Sequence, residues 1–236
     1  RGFEFDRRWM LVDEKNEFIT QRQYPQMALL QVELQPGRLK VFHKTNNSEI
    51  IIPFLPETGK TVMVQVWSNR CRAQLVSLSA DNWFTEMLSV KCRLVYMPDT
   101  TRRQVDGRYA TNKELTAFSD GYPFLLIGQA SLDDLNSRLE KPLSIDRFRP
   151  NIVFTGGAPF QEDTMKQFIV NGIPFYGVKL CARCVITTID QLNATKAKEP
   201  LKTLATYRMK NNKIFFGQNL LHKGLGTIHV GDIITL

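Results

Sequence analysis

The first hundred residues are built from short runs of β-branched and aromatic residues broken by polar turns, and this rhythm constrains the fold more than any other feature. "FEFDRRWMLVD", the turn "DEKNE" and "FITQRQ" read as a hairpin. "MALLQVEL", "LKVF", "EIIIPF" and "TVMVQVW" follow, separated by "QPGR" and "TNNS", at the spacing of an antiparallel sheet or barrel. Pro53 and Pro56 mark an edge or an exit. "SADNWFTEMLS" sets Trp83, Phe84, Met87 and Leu88 at helical spacing, which predicts a short amphipathic helix capped by Ser79 or Asp81. "CRLVYMP" predicts another strand. The polar, arginine-bearing stretch from Pro98 to Asn112 then divides the chain into residues 1–98 and 99–236; its Arg102, Arg103 and Arg108 either face solvent or guide an anion or a redox partner.

The second half mixes helix and strand signals. "YPFLLIGQASLDDLNSRLE" predicts a buried strand feeding a helix, with Ser131 and Asp134 as its capping box. "IDRFRPNIVFTGG" is a charged turn into a strand, and "EDTMKQFIV" is a helix turn or irregular segment. "GIPFYGVKLCARCVITTID" contains two strands, "KEPLKTLATYR" opens a helix at Pro200, and "GTIHVGDIITL" closes as a hairpin-like pair that makes His229 a sheet residue and leaves His222 in a loop. The expected class is α+β, predominantly β, without the strict strand–helix alternation of a doubly wound fold.

A net charge of +8 favours an anionic partner without choosing among phosphate, acidic protein, membrane surface and nucleic acid. No run of eighteen apolar residues is present, so no membrane span is expected. The opening "RGFEFDRRW" already reads as a strand, so native sequence is expected to precede Arg1. Four cysteines in 236 residues suit a reducing compartment better than a disulfide framework.

Two of those cysteines, Cys181 and Cys184, bracket "CARC". A structural zinc site needs four ligands, and Cys71, Cys92, His43, His222 and His229 supply no second close pair. A thioredoxin-type dithiol needs a helix after the reactive cysteine, whereas Val185 to Ile189 is a β pattern. Arg183 favours a thiolate at either neighbour and suits a phosphate; a thiolate suits a soft transition metal such as molybdenum. Burial of both cysteines as small hydrophobes is an equally good account of the local sequence. In "FRPN", Pro150 holds Arg149 extended, either aimed from a fixed backbone or solvated in a surface turn. The arginines of "DRRW" sit on a strand that faces solvent or a cleft. In "FSDGYPFLL", Gly121 permits a positive φ or a close ligand approach, and simple turn chemistry explains it as well. Nucleotide-binding loops and hydrolase nucleophile motifs are absent.

Taken together, "DRRWMLVD", "TQRQYPQMALL", "FSDGYPFLL", "LNSRLEKPLSIDRFRPNIV", "CARCVITTID", "KEPLKTLATYR", "FGQN" and "GTIHVGD" resemble, in order and along essentially the whole chain, the MOSC family. The similarity is to the branch containing the mitochondrial amidoxime reducing component and its bacterial counterparts. This resemblance implies an N-terminal MOSC-type β-barrel portion packed on a β-barrel MOSC domain with a few short helices. It implies a mononuclear molybdenum enzyme carrying molybdopterin (Mo-MPT), with Cys184 as the metal ligand and catalytic centre and Cys181 as a passenger. Cofactor-binding positions fall on Arg7, Asp120, Gly121, Tyr122, Arg149, Asn151, Ala182 and Arg183, with alanine at 182 where serine is common. No iron–sulfur cluster within this chain, no pyridoxal phosphate and no bound nucleic acid are expected. The implied activity is reduction of small N-hydroxylated compounds, namely amidoximes, hydroxylamines and N-hydroxylated bases, in a bacterial cytoplasm. Electrons would come from a separate donor protein or a ferredoxin domain beyond Leu236. The alternative is a non-catalytic module that binds or carries the same cofactor.

Overall fold

A computed structural model describes residues 1–110 and 112–236; Thr111, within the Pro98–Asn112 stretch, lies outside the described residues. The first half supplies β1 (Trp9–Val12), β2 (Leu30–Gln35), β3 (Arg38–His43), β4 (Glu49–Pro53), β5 (Thr61–Val66), β6 (Asn69–Leu75), α1 (Leu78–Leu88) and β7 (Arg93–Tyr96). The second supplies β8 (Phe124–Gly128), α2 (Gln129–Asn136), β9 (Ile152–Phe154), β10 (Gln167–Val170), β11 (Ile173–Ala182), α3 (Leu201–Ala205), β12 (Met209–Lys210), β13 (Lys213–His222) and β14 (Ile234–Thr235). The class is α+β and predominantly β, with a nearly closed barrel and a half-barrel sheet.

Strand order is β1-β7-β6-β5 in one N-terminal sheet and β2-β3-β4 in the other. The alternation expected for "LKVF" is visible in β3, whose Leu39 and Val41 point inward with Ile52 of β4 and, from α1, Ala80, Phe84 and Leu88. β6 has no counterpart among the expected strands because Arg70 and Arg72 mask it; they face out while Cys71 and Ala73 are buried. The expected strand "FITQRQ" is also absent. Phe18 makes a single bridge to Val12, and residues 20–23 curl into a turn held by Gln23 N–H and Tyr24 N–H on the Thr20 carbonyl. The N-cap of α1 is Ser77, not Ser79 or Asp81: its hydroxyl accepts from Ala80 N–H, and Asp81 instead accepts from Leu94 N–H.

The second half centres on β8, buried at every position, between antiparallel β13 and parallel β9. The expected capping box of α2 does not form. Ser131 lies inside the helix, accepts from Phe160 N–H and donates to the buried Glu162. The "EDTMKQFIV" segment is one 3-10 turn (Gln161–Asp163) followed by β10. His222 ends β13 rather than lying in a loop, and His229 lies in a turn region, its N–H on Asp232, rather than in a strand. Only β14 of the expected closing pair forms, and it pairs with β10.

β11 and β13 carry the site. Their register shifts twice, between Gly177 and Lys179 and between Leu180 and Ala182. The second shift lies opposite Gly217, whose φ of +86° is a glycine conformation. A Cβ there would meet the Leu126 carbonyl oxygen at 2.9 Å, so glycine also lets β13 close on β8.

Candidate functional site

A cavity of about 450 Å³ opens where the two halves meet, a volume suited to a cofactor-sized ligand. One wall is apolar and belongs to the N-terminal core; the other gathers Arg7, Arg22, Asp120, Arg149, Arg183 and Cys184. Gly121, Tyr122, Asn151 and Ala182 also line it, so every site position expected from the sequence comes to one cleft.

The "CARC" residues leave β11 at Ala182, and Cys184 does not start a strand. It is the N-cap of a single 3-10 turn, Val185–Thr188. The threonine hydroxyls override the β pattern: Thr187 Oγ1 donates to the Cys184 carbonyl at 3.0 Å and Thr188 Oγ1 to that of Val185 at 2.8 Å. One such turn is too short to act as the helix of a redox dithiol. Cys71 and Cys92 are buried elsewhere, where desolvation pushes their thiols up. Among the described residues no three histidine, cysteine or carboxylate groups cluster as metal ligands.

Arg183 serves the other cysteine. Its Nη1 donates to Cys181 Sγ at 3.0 Å and its Nη2 to the Phe148 carbonyl at 2.7 Å, with the guanidinium over the Phe148 ring. Cys181 is therefore an anchor for Arg183 rather than a passenger. The cation beside Cys184 is Arg22, 162 residues away in sequence, with Nη2 at 3.4 Å from Sγ.

Arg149 is not extended. Its φ of +54° and ψ of +47° are left-handed, because it closes the 3-10 turn Ile145–Phe148 with its N–H on the Asp146 carbonyl. This conformation before a proline costs on the order of 1–3 kcal/mol. Arg7, expected on a strand, also lies in a turn before β1 with a φ of +52°. Its guanidinium pairs with Asp6 and reaches the Arg149 carbonyl at 3.3 Å. The Arg149 side chain is accessible from the cleft, yet enough protein surrounds it that desolvation, ahead of the like charges of Arg7 and Arg183, lowers its pKa. Its guanidinium makes no hydrogen bond or ion pair with any described residue, the Asp120 and Asp6 carboxylates acting on it only at longer range, and it lines the cavity.

Asn151 is already committed to protein: Oδ1 accepts from Leu125 N–H at 3.0 Å and Nδ2 donates to Asp6 at 2.9 Å. It positions the Asp6–Arg7 pair instead of offering a free amide to a heterocycle. Asp120 sits on the rim, accepting from Trp67 Nε1 at 3.1 Å and Arg22 at 3.2 Å. Gly121 has no positive φ, and a Cβ there would meet nothing within 4 Å, so neither backbone conformation nor close packing within the protein requires glycine. The Tyr122 hydroxyl is buried without a partner among the described residues, and desolvation pushes the phenol up. Arg103 is buried and staples this segment through the carbonyls of Ala117, Ser119 and Asp120, so it is not free to guide an anion. Arg108 is taken by Asp106, which leaves Arg102 exposed.

Arg22, Trp67 and Asp6 had no local signal. Arg22 lies within "TQRQ", one of the runs that carried the family resemblance, but nothing in its spacing says that a turn delivers it to Cys184.

Comparison with known proteins agrees with this layout. Residues 1–91 match the MOSC N-terminal beta barrel domain and residues 114–235 the MOSC domain. Mitochondrial amidoxime-reducing component 1 of Mus musculus is 31% identical, covering 98% of this chain and 72% of that protein. Mitochondrial amidoxime reducing component 2 of Rattus norvegicus is 32% identical over 96% of this chain and 72% of that protein. Molybdenum cofactor sulfurase of Oryza sativa subsp. japonica is 30% identical over 92% of this chain, but only 29% of its own length is covered. No helix among the described residues is long and apolar enough to cross a membrane. The chain therefore belongs to the MOSC domain family, with its N-terminal β-barrel portion, and is similar along its length to the amidoxime-reducing components.

Proposed function

We propose that this chain holds a molybdenum pyranopterin in the cleft and reduces small N-hydroxylated compounds, amidoximes, hydroxylamines and N-hydroxylated bases among them, to their amino forms. The observation that carries this is one cavity joining a half-buried thiol, Cys184, to a guanidinium without a partner, Arg149. Cys184 supplies the soft anionic ligand. Arg149 and Arg183 have no carboxylate partner among the described residues, so together with Arg7 they suit a phosphate. The open space beside Gly121 leaves room for a ring system. The residues present fit the group.

When bound, the cofactor supplies a two-electron centre suited to oxygen-atom removal. Overall, the N–O bond breaks, two electrons and two protons are consumed, and the amino compound and one water leave. The chain's residues bind and orient: Asn151 and Asp6 fix Arg7, Arg183 is fixed by Cys181, and the apolar wall excludes water. Electrons would arrive from a separate donor protein or a ferredoxin domain. The setting is proposed as a bacterial cytoplasm, and the functional boundary as residue 98.

Protein co-expressed with a molybdenum cofactor supply should contain molybdenum and reduce benzamidoxime with reduced viologen. Cys184→Ala should lose both properties, and Cys181→Ala should keep most of its molybdenum. Full metal content and an unchanged rate in Cys184→Ala would overturn the assignment. The likeness to a cofactor sulfurase favours a second reading, a carrier, which stable cofactor binding without turnover would support.

A further inference from the structure

We infer that Arg22 seats the oxygen of the N-hydroxylated substrate beside Cys184, with Trp67 and Asp120 holding its guanidinium; this rests on the reductase reading above. Arg22 is fixed on several sides. Its backbone N–H donates to Thr20 Oγ1 at 3.2 Å, within the turn that replaces the expected strand. Its Nη2 donates both to Asp120 Oδ2 at 3.2 Å and to Cys184 Sγ at 3.4 Å. The guanidinium carbon lies 4.6 Å from the Trp67 ring centroid, and Trp67 Nε1 bonds the other oxygen of Asp120 at 3.1 Å. Trp67 itself has a φ of +55°, a conformation that a bulky residue adopts at a cost, and it is braced edge-on by Phe18 at 5.0 Å.

A guanidinium has five N–H donors, and only those on Nη2 are used. Nε and Nη1 have no partner among the described residues, and the side chain lines the cavity with 19% of its surface exposed. Three unused N–H donors, on Nε and Nη1, are thus carried by a guanidinium whose Nη2 touches the sulfur proposed to hold the metal. The charge pattern says what these donors take. Around Arg149 the cleft is net cationic and suits an anion. At Arg22 the Asp120 carboxylate cancels the charge, so the spot suits an uncharged acceptor, the oxygen of an oxime or N-hydroxyl group. A free phosphate or carboxylate would be drawn to the other end. Arg22 is thus a substrate-positioning residue contributed by the N-terminal half to chemistry at a thiol of the C-terminal half.

The test compares wild type with Arg22→Gln, Arg22→Lys and Trp67→Phe as cofactor-loaded protein, with molybdenum and pterin measured for each. Binding of benzamidoxime is followed by calorimetry on oxidised protein without reductant, so that no turnover enters the reading. Arg22→Gln at wild-type molybdenum content should bind benzamidoxime about tenfold or more weakly and raise KM by a similar factor, the loss of a charge-assisted hydrogen bond. Arg22→Lys should recover part of the loss, since it keeps the charge but not the fork. Trp67→Phe, which removes the Nε1 tether, should weaken binding severalfold. Affinity and KM within twofold of wild type in Arg22→Gln would overturn the inference. So would loss of molybdenum with normal affinity in the fraction still loaded, which marks a purely structural role. Loaded wild type that binds benzamidoxime without reducing it would instead refute the reductase reading and leave the Arg22 comparison legible from affinity alone.

Discussion

Asn151→Ala separates a ligand-contacting asparagine from one that holds the protein's own parts together. The native side chain accepts from Leu125 N–H at 3.0 Å and donates to Asp6 at 2.9 Å, while its backbone N–H returns to the Leu125 carbonyl. Truncation removes one neutral hydrogen bond and one to a carboxylate, and it strands the Leu125 N–H at the head of a fully buried strand. A neutral bond is worth about 1 kcal/mol, one to a charged group about 1.5–3, and an unsatisfied buried donor costs about 1–3. These overlap, and the Asp6–Arg7 pair is about a quarter exposed (27% and 24%), so the expected loss is about 2–4 kcal/mol. For a chain of this size that lowers Tm by roughly 4–16 °C. Urea unfolding of apo protein is the assay, because it reads the bridge without any cofactor. Asn151→Asp should be worse, since it sets a second carboxylate against Asp6. An apo Asn151→Ala whose stability stays within about 0.5 kcal/mol of wild type, yet which cannot hold cofactor, would refute the bridging account and restore the expected ligand contact.

Two further outcomes follow from packing and charge. Phe148 is completely buried with its ring 4.4 Å from that of Phe216, so Phe148→Ala should cost about 3–5 kcal/mol in urea unfolding and loosen the turn that carries Arg149. Glu162 is buried, and desolvation raises its carboxyl above the ordinary 4.5 despite the Ser131 hydrogen bond. The folded state therefore holds this proton more tightly than the unfolded state. Its stabilisation is complete below the ordinary value and is lost as pH rises through the higher folded one. Glu162→Gln should flatten that fall, measured as urea midpoints between about pH 4 and pH 8, and an unchanged slope would count against it.

The legible parts of the fold were those where alternation or burial runs uninterrupted. β3, β4 and β5 follow their apolar pattern, and β8 announces itself as "FLLIG". Where charged residues share a strand with small buried ones, as in β6, composition hid the element. Where threonines bond back to the chain, as after Cys184, β-branching misled. At the site, the residue types were legible and their conformations were not. Proline after Arg149 predicts an extended backbone, but closure of the preceding turn and the Arg7 contact hold it left-handed. Arg22 escaped for a plainer reason: its partners lie 98 and 162 positions away, and no local period encodes that.

The two register shifts along β11 make length a stricter requirement than identity in this stretch. A regular strand presents alternate residues to one side, so it could not bring Cys181, Ala182, Arg183 and Cys184 all to the same cavity. The irregular pairing opposite Gly217 and the departure from β-structure after Ala182 let them converge. Substitutions within "CARC" would alter a contact, whereas inserting or deleting one residue between Gly177 and Cys184 would rotate the thiol away from Arg22. Swapping this segment between related chains should thus succeed when its count is kept and fail when it is not, however similar the letters.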